Sequence, residues 1–183
     1  MRKLKLQMQV TIDGFVAGPN GQLDWMTRDA DEKGLAEIIR LTDTSDTILL
    51  GRKMTDGFTT YWESVPASSP EYDFAQKMVN TPKVVFSKTA KSVKGKNIRV
   101  ENGPLVEAIH SLKSQPGKDI VVYGGATFVS SLIEHRLIDE LNFFVNPVAI
   151  GKGLQIFSQP TPLSLVRSVA FGNGEVLNTY TLK

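Results

Sequence analysis

Leu4, Leu6, Met8, Val10 and Ile12 are apolar at every second position, and that period predicts a first β-strand. Asp13-Gly14 and Gly18-Pro19-Asn20-Gly21 then break the pattern into a long, turn-rich loop. From Gly34 to Leu41 the spacing changes to that of a helix, with Leu35, Ile38, Ile39 and Leu41 on one face. Thr47 to Leu50 reads as a buried strand stopping at Gly51, Tyr72 to Val79 as a helix ended before Pro82, and Lys83 to Phe86 as a short strand. Asn97 to Val100 suits a further strand, and Pro104 to Leu112 a helix, with proline in its first turn. The run Ile120-Val121-Val122-Tyr123 ends in Gly124-Gly125, and helical spacing resumes through Ile133. Leu141 to Val148, Leu163 to Phe171 and Glu175 to Leu182 are extended, the last two joined through Gly172-Asn173-Gly174.

Strand and helix alternate over the first two-thirds, which implies right-handed crossovers between parallel strands. The last third holds strands without an intervening helix. The expectation is an α/β fold: a mixed β-sheet, mostly parallel, with an antiparallel C-terminal edge and flanking helices, in a single domain over residues 1–183. No internal repeat, low-complexity segment or dividing linker interrupts it.

Composition narrows the function classes. Twenty-one basic and 19 acidic residues leave a formal charge of +2, too balanced to suggest nucleic acid as a partner. No cysteine is present, which removes disulfides, thiolate nucleophiles and thiolate metal sites, and His110 and His135 lack a metal-ligand pattern. No metal is expected. The N-terminal residues lack a signal-peptide core and no run reaches membrane-spanning length, so a cytoplasmic location without membrane partners is the default.

Ligands of parallel sheets gather beyond the C-terminal strand ends. Three such ends suit phosphate: Gly51-Arg52-Lys53-Met54, Ser87-Lys88-Thr89 and Gly124-Gly125-Ala126-Thr127. The paired glycines permit a tight turn and close backbone approach, and the amides after them open a helix, where an anion is favoured. A third glycine is missing, so this is not the G-x-G-x-x-G fingerprint. Arg52, Lys53 and Lys88 together match a phosphomonoester such as the 2′-phosphate of NADP. Taken singly each of these residues suits a solvated loop better, and their joint position at strand ends is what favours phosphate; an Asp-Gly turn at Asp13 is common for conformational reasons alone.

The order of several segments resembles dihydrofolate-reductase-like proteins. They are Thr11-Ile12-Asp13-Gly14-Phe15-Val16-Ala17-Gly18, Leu23-Asp24-Trp25, Leu50-Gly51-Arg52-Lys53-Met54, Val85-Phe86-Ser87-Lys88-Thr89 and Tyr123-Gly124-Gly125-Ala126. Leu137-Ile138-Asp139-Glu140-Leu141 and the run from Pro147 to Phe157 look most like the reductase domain of the riboflavin-biosynthesis enzyme and its stand-alone bacterial relatives. The resemblance implies a dihydrofolate-reductase-like fold and NADPH as hydride donor. It places Gly51, Arg52, Lys53 and Met54 by the adenosine, Ser87 and Lys88 by the 2′-phosphate, and Gly124, Gly125, Ala126 and Thr127 at the diphosphate. Val10, Val16 and Ala17 would line the nicotinamide, and Trp25 the pocket of the heterocycle. Asp13 is the candidate for substrate contact and proton delivery, with an ordered water as its rival. Asp29, Asp31 and Glu32 offer several acids and no single counterpart to the one that orients the pterin in dihydrofolate reductase. The cysteines of a fused zinc deaminase domain are absent.

The expected activity is NADPH-dependent reduction of a pyrimidine- or pteridine-like substrate, of the 5-amino-6-(5-phosphoribosylamino)uracil reductase type. Dihydrofolate reduction and non-catalytic NADP binding are the alternatives. Apolar content in 141–145 and 177–182 predicts a homodimer built through the C-terminal strands.

Overall fold

The computed structural model describes residues 1–26 and 31–183. Eight strands form one sheet in the order β4-β3-β2-β5-β1-β6-β8-β7. They are β1 (Leu4–Thr11), β2 (Ser45–Gly51), β3 (Lys83–Phe86), β4 (Ile98–Glu101), β5 (Asp119–Gly124), β6 (Glu140–Asn146), β7 (Leu163–Ala170) and β8 (Val176–Leu182). The helices are α1 (Glu32–Asp43), α2 (Arg52–Ser64), α3 (Tyr72–Asn80), α4 (Leu105–Ser114) and α5 (Ala126–Glu134). Strands β1 to β6 are mutually parallel, while β8 runs antiparallel to β6 and β7. The mixed sheet with an antiparallel C-terminal edge is therefore as the sequence predicts. The β7–β8 hairpin turns at Gly174, whose φ of +88° favours glycine.

The alternation in β1 sorts its side chains onto two faces. Leu4, Leu6 and Met8 pack with Leu49, Val84, Ile120 and Val122 against Ile109 and Leu112 of α4 and Val129, Leu132 and Ile133 of α5. The other face carries Ile48, Leu50, Val85 and Val121 under α2 and α3. Helix α2 is the element that hydrophobic periodicity overlooked. Its threonines and Gly57 weaken local propensity, yet Met54, Phe58 and Trp62 recur at i, i+4 and i+8 and face this second core. Helix α1 starts at Asp31, whose carboxylate accepts from the Lys33 and Gly34 amides at 2.9 and 3.0 Å and from the Gly172 amide at 2.8 Å. That N-cap also ties α1 to the β7–β8 hairpin.

The reason given for a dimer at β6 and β8 is overturned. Leu141, Phe143, Phe144 and Leu177 are buried within the single chain, because β6 is interior to the sheet. Ile38 and Leu41 of α1 cover Phe144, Phe171 and Leu177, so helix cover extends past the first two-thirds of the chain. The edge at this end of the sheet is β7, where Leu165 and Val166 are 58% and 63% exposed beside a register shift. No helix among the described residues is long and apolar enough to cross a membrane.

Candidate functional site

Strands β2 and β5 are neighbours, with Leu50 opposite Gly124, and each runs directly into a helix. Gly51 is the N-cap of α2 and Gly125 of α5, and neither makes a side-chain cap. Neither helix has an acid in its first turn, whereas α1, α3 and α4 each do. Two sets of first-turn amides therefore open side by side with no carboxylate to compete for them, a fixed positive seat at one end of the sheet. Glycine is required where the two helices meet: a Cβ on Gly51 would lie 2.9 Å from both the Gly125 nitrogen and the Phe128 Cβ. Gly124 has a φ of +144°, and a Cβ there would stand 2.9 Å from the Met54 sulfur. The Gly124–Gly125 peptide is cis. At Gly125 the nearest atom to an added Cβ is 3.9 Å away, so that side of the seat is open. Ala126 and Thr127 begin α5, Thr127 exposed.

The basic residues flank this seat. Arg52 follows Gly51 and forms an i,i+4 pair with Asp56 at 3.0 Å, partly exposed on both sides. Lys53 is exposed and Met54 turns into the core under α2. Strand β3 adjoins β2 with Phe86 opposite Gly51, so Ser87 and Lys88 leave the sheet beside Arg52. The Ser87 hydroxyl oxygen accepts from the Ala90 amide at 3.0 Å, and the Asn102 amide donates to the carbonyls of Ser87 at 2.6 Å and Ala90 at 2.9 Å. These bonds fix the turn and leave Lys88 exposed. A seat of amides with three flanking cations, Arg52, Lys53 and Lys88, fits the diphosphate and extra phosphate of a nicotinamide dinucleotide.

At the end of β1, Val10 is half-buried and Val16 and Ala17 are 7% exposed. The loop that holds them is bolted to residues 148–154. Val16 donates to the Leu154 carbonyl at 2.9 Å, Leu154 to that of Ala17 at 2.8 Å, and a Cβ on Gly153 would lie 2.2 Å from the Ala17 oxygen. Asp13 completes the bolt: its carboxylate accepts from the Gly151 amide at 2.8 Å and the Ile150 amide at 3.1 Å, and from the Thr11 hydroxyl. The Thr11 hydroxyl first, then the loop amides, hold its pKa below the usual carboxylate value. Trp25 is half-buried, with its indole N–H donating to the Gln22 carbonyl at 3.2 Å. Of the acids after Trp25, Asp31 is spent as the α1 cap, Glu32 is exposed in the first turn, and Asp29 lies outside the described residues.

Sequence reasoning overlooked a polar row on the second face of β1. Gln7 and Thr11 are buried, and Gln9 is half-buried, beside the buried Asn142 and Asn146 of β6. The Asn146 amide donates to the Gln9 carbonyl oxygen at 2.6 Å, and Thr179 donates to Asn142 at 2.8 Å. Gln7 Oε1 has no hydrogen-bond partner among the described residues. Nearby in the sheet, Tyr123 meets the Thr42 hydroxyl of α1 at 3.0 Å. Because Thr42 already donates to the Ile38 carbonyl, the Tyr123 hydroxyl is the donor. Burial pushes its pKa up to about 12, so it stays a neutral phenol. The signal in the sequence was the alternation itself: an interior parallel strand is ordinarily apolar on both faces, and one with Gln7, Gln9 and Thr11 on alternate positions lines something polar. No group of three or more histidine, aspartate or glutamate side chains among the described residues is placed to hold a metal.

Comparison with known proteins agrees with the fold. The family model described as the RibD C-terminal domain matches residues 2–177. The uncharacterized protein YyaP of Bacillus subtilis (strain 168) is 33% identical over 182 residues, covering 98% of this chain and 94% of that protein. Among solved structures, a pyrimidine reductase-like protein from Corynebacterium diphtheriae superposes with a TM-score of 0.65 at 15% identity, over 100% of this chain and 92% of that one. A diaminohydroxyphosphoribosylaminopyrimidine deaminase/5-amino-6-(5-phosphoribosylamino)uracil reductase from Thermotoga maritima gives 0.69 at 19% identity, over 100% of this chain and 57% of that one. At these identities the two structures establish the shared fold.

Proposed function

The chain belongs to the RibD C-terminal domain family, and from that premise we propose that it is an NADPH-dependent reductase of a pyrimidine-like heterocycle, of the 5-amino-6-(5-phosphoribosylamino)uracil reductase type. The observation that carries the reading is the pair of uncapped, acid-free helix starts at Gly51 and Gly125, set one strand away from the polar row of β1.

NADPH, when bound, supplies the hydride. The residues of this chain do the positioning. The amides opening α2 and α5 hold the diphosphate, and Arg52, Ser87 and Lys88 hold the 2′-phosphate. Val10, Val16 and Ala17 give the nicotinamide an apolar wall. Gln7 and Gln9 offer amide groups to a heterocycle that carries C=O and N–H on its edge, and the unpartnered oxygen of Gln7 gains a donor when it binds. Asp13 is assigned to positioning rather than proton delivery, since its carboxylate is held ionised and its oxygens are occupied by the loop amides. The proton then comes from solvent water. A homodimer, if formed through the exposed β7 edge, leaves one such site per chain.

NADPH oxidation measured with 5-amino-6-(5-phosphoribosylamino)uracil, with dihydrofolate, and without acceptor tests the reading. Turnover is expected with the pyrimidine. Turnover with dihydrofolate alone refutes it.

A further inference from the structure

The charges of the chain are unevenly spread. Seven of its 21 basic residues and none of its 19 acidic ones fall between Phe74 and Val100, so the rest of the chain is net acidic. Three of the seven are engaged: Lys77 pairs with Asp43, Arg99 with Glu101, and Lys83 is buried on the carbonyls at the end of α3. Lys88, Lys91, Lys94 and Lys96 remain. All four are exposed on the loop joining β3 to β4, and none enters an ion pair among the described residues. The backbone beneath them is fixed. The Asn102 amide ties Ser87 to Ala90, Val93 and Ile98 pack into the core under α2, and the Lys96 amide donates to the Glu63 carboxylate of α2 at 2.9 Å. Gly95 is pressed onto the same helix: its φ is +127°, and a Cβ there would lie 2.7 Å from the Thr59 methyl carbon.

This row of unneutralised ammonium groups runs along the flank of α2 to the seat at its N-terminus. Thr59 and Glu63 lie 7 and 11 residues past Arg52, which at about 1.5 Å per residue sets Gly95 and Lys96 roughly 10–17 Å along the helix from the seat. At that range Lys94 and Lys96 exert a field on the seat rather than a contact. The field reaches it at low salt, since the Debye length is about 30 Å at about 0.01 M and about 8 Å at about 0.15 M. Resting on the NADPH reading above, we propose that Lys91, Lys94 and Lys96 form an approach surface for the cofactor. They draw the polyanionic dinucleotide toward the seat and speed its association, while Arg52, Lys88 and the helix amides hold it once there. Solvated ammonium groups on flexible stems have no fixed geometry to offer a bound phosphate, so they act on encounter and not on residence. The 2′-phosphate adds to the charge being steered, so capture of NADPH gains more than capture of NADH.

Stopped-flow fluorescence of NADPH binding to the full chain tests the assignment without turnover. Association is read from the concentration dependence of the rate, and dissociation from a chase with excess NADP+. At about 0.01 M salt, Lys94→Gln/Lys96→Gln should lower the association rate constant about threefold and the charge reversal Lys94→Glu/Lys96→Glu about tenfold, with dissociation unchanged. Both losses should fade as salt is raised to about 0.5 M, and both should be smaller for NADH. Lys3→Gln/Lys183→Gln changes the net charge equally at the opposite end of the sheet, beside the start of β1 and the end of β8, and should leave association as it is. Equal association rates in wild type and the reversal variant, a loss matched by the Lys3/Lys183 control, or a change confined to dissociation overturns the proposal. So does a wild-type association rate that does not respond to salt, a result that needs no variant. Absence of NADPH binding in the wild type refutes the cofactor reading itself, whereas intact binding with salt-independent association refutes the approach surface alone.

Discussion

Arg52→Ala separates the phosphate-bearing cofactor from its analogue. Arg52 sits one residue past Gly51 at the start of α2, 39% exposed, and in the unliganded chain its guanidinium pairs with Asp56 at 3.0 Å. To take a 2′-phosphate it gives up that surface pair, worth about 0.3–0.5 kcal/mol for an i,i+4 contact. A charge-assisted contact to phosphate returns about 1.5–3 kcal/mol. The net is about 1–2.5 kcal/mol, so Arg52→Ala should weaken NADPH binding by roughly 5- to 70-fold. NADH, which lacks the 2′-phosphate, should be little affected. Asp56→Asn removes the competing carboxylate and should tighten NADPH about twofold by the same arithmetic. Calorimetric or fluorescence titration of both cofactors at fixed low salt measures all of these. Equal affinity of the wild type for NADH and NADPH, or equal losses of both in Arg52→Ala, refutes the placement of the 2′-phosphate at α2.

Three other outcomes follow from the geometry. Gly125→Val should fold, since an added Cβ has no neighbour closer than 3.9 Å, but should lose the thermal stabilisation by NADPH, which in the wild type amounts to about 2.7 kcal/mol at about 100 times Kd; full retention of the shift moves the diphosphate elsewhere. Lys83 is 2% exposed, donates to the carbonyls of Met78, Val79 and Thr81 at 2.8 Å each, and is depressed by burial to a pKa of about 8 against 10.5 unperturbed. The folded state therefore binds fewer protons than the unfolded one across pH 8 to 10.5, and stability should rise with pH in that window more steeply in wild type than in Lys83→Met, as read by urea unfolding; parallel profiles refute it. Light scattering should give about twice the 20.1 kDa chain mass for the wild type and the chain mass for Val166→Lys on the exposed β7 edge, and a wild type at 20.1 kDa at all micromolar concentrations removes the dimer.

What could be read along the chain was what neighbouring residues decide. The glycines at 51, 124 and 125 mark strand-to-helix turns, Gly124 by its positive φ and Gly51 by the close approach of Gly125 and Phe128, and the parallel and antiparallel halves of the sheet follow from whether a helix intervenes. Asp13 was legible as a turn residue. Its partners were not, because the amides of Ile150 and Gly151 lie 137 and 138 positions away and become neighbours only when β6 pairs with β1. Helix α2 hid behind weak local propensity and is held by the burial of Met54, Phe58 and Trp62, which is tertiary information. The burial of β6 and β8 likewise depended on sheet order, and the apolar residues credited to a dimer belong to the monomer's core.

The same dependence on sheet order explains why β1 is the strand on which the site turns. A half-buried antiparallel strand and an interior parallel strand can carry the same apolar–polar alternation. In the first the polar positions meet water, and their cost is nil. In β1, with β5 on one side and β6 on the other, Gln7 and Thr11 are removed from water and must be satisfied by the protein or by a ligand. Thr11 is satisfied, through Asp13 and the Phe15 amide at 3.0 Å, and its bonds anchor the loop that carries Val16 and Ala17. Gln9 is oriented by Asn146. Of these three side chains Gln7 is the one whose oxygen has no partner among the described residues, a group that costs about 1–3 kcal/mol when left so. A Gln7→Leu chain should therefore be as stable as the wild type or more so in urea unfolding, and should lose acceptor turnover while keeping NADPH affinity. Loss of stability without loss of turnover would mean that Gln7 serves the fold and not the heterocycle.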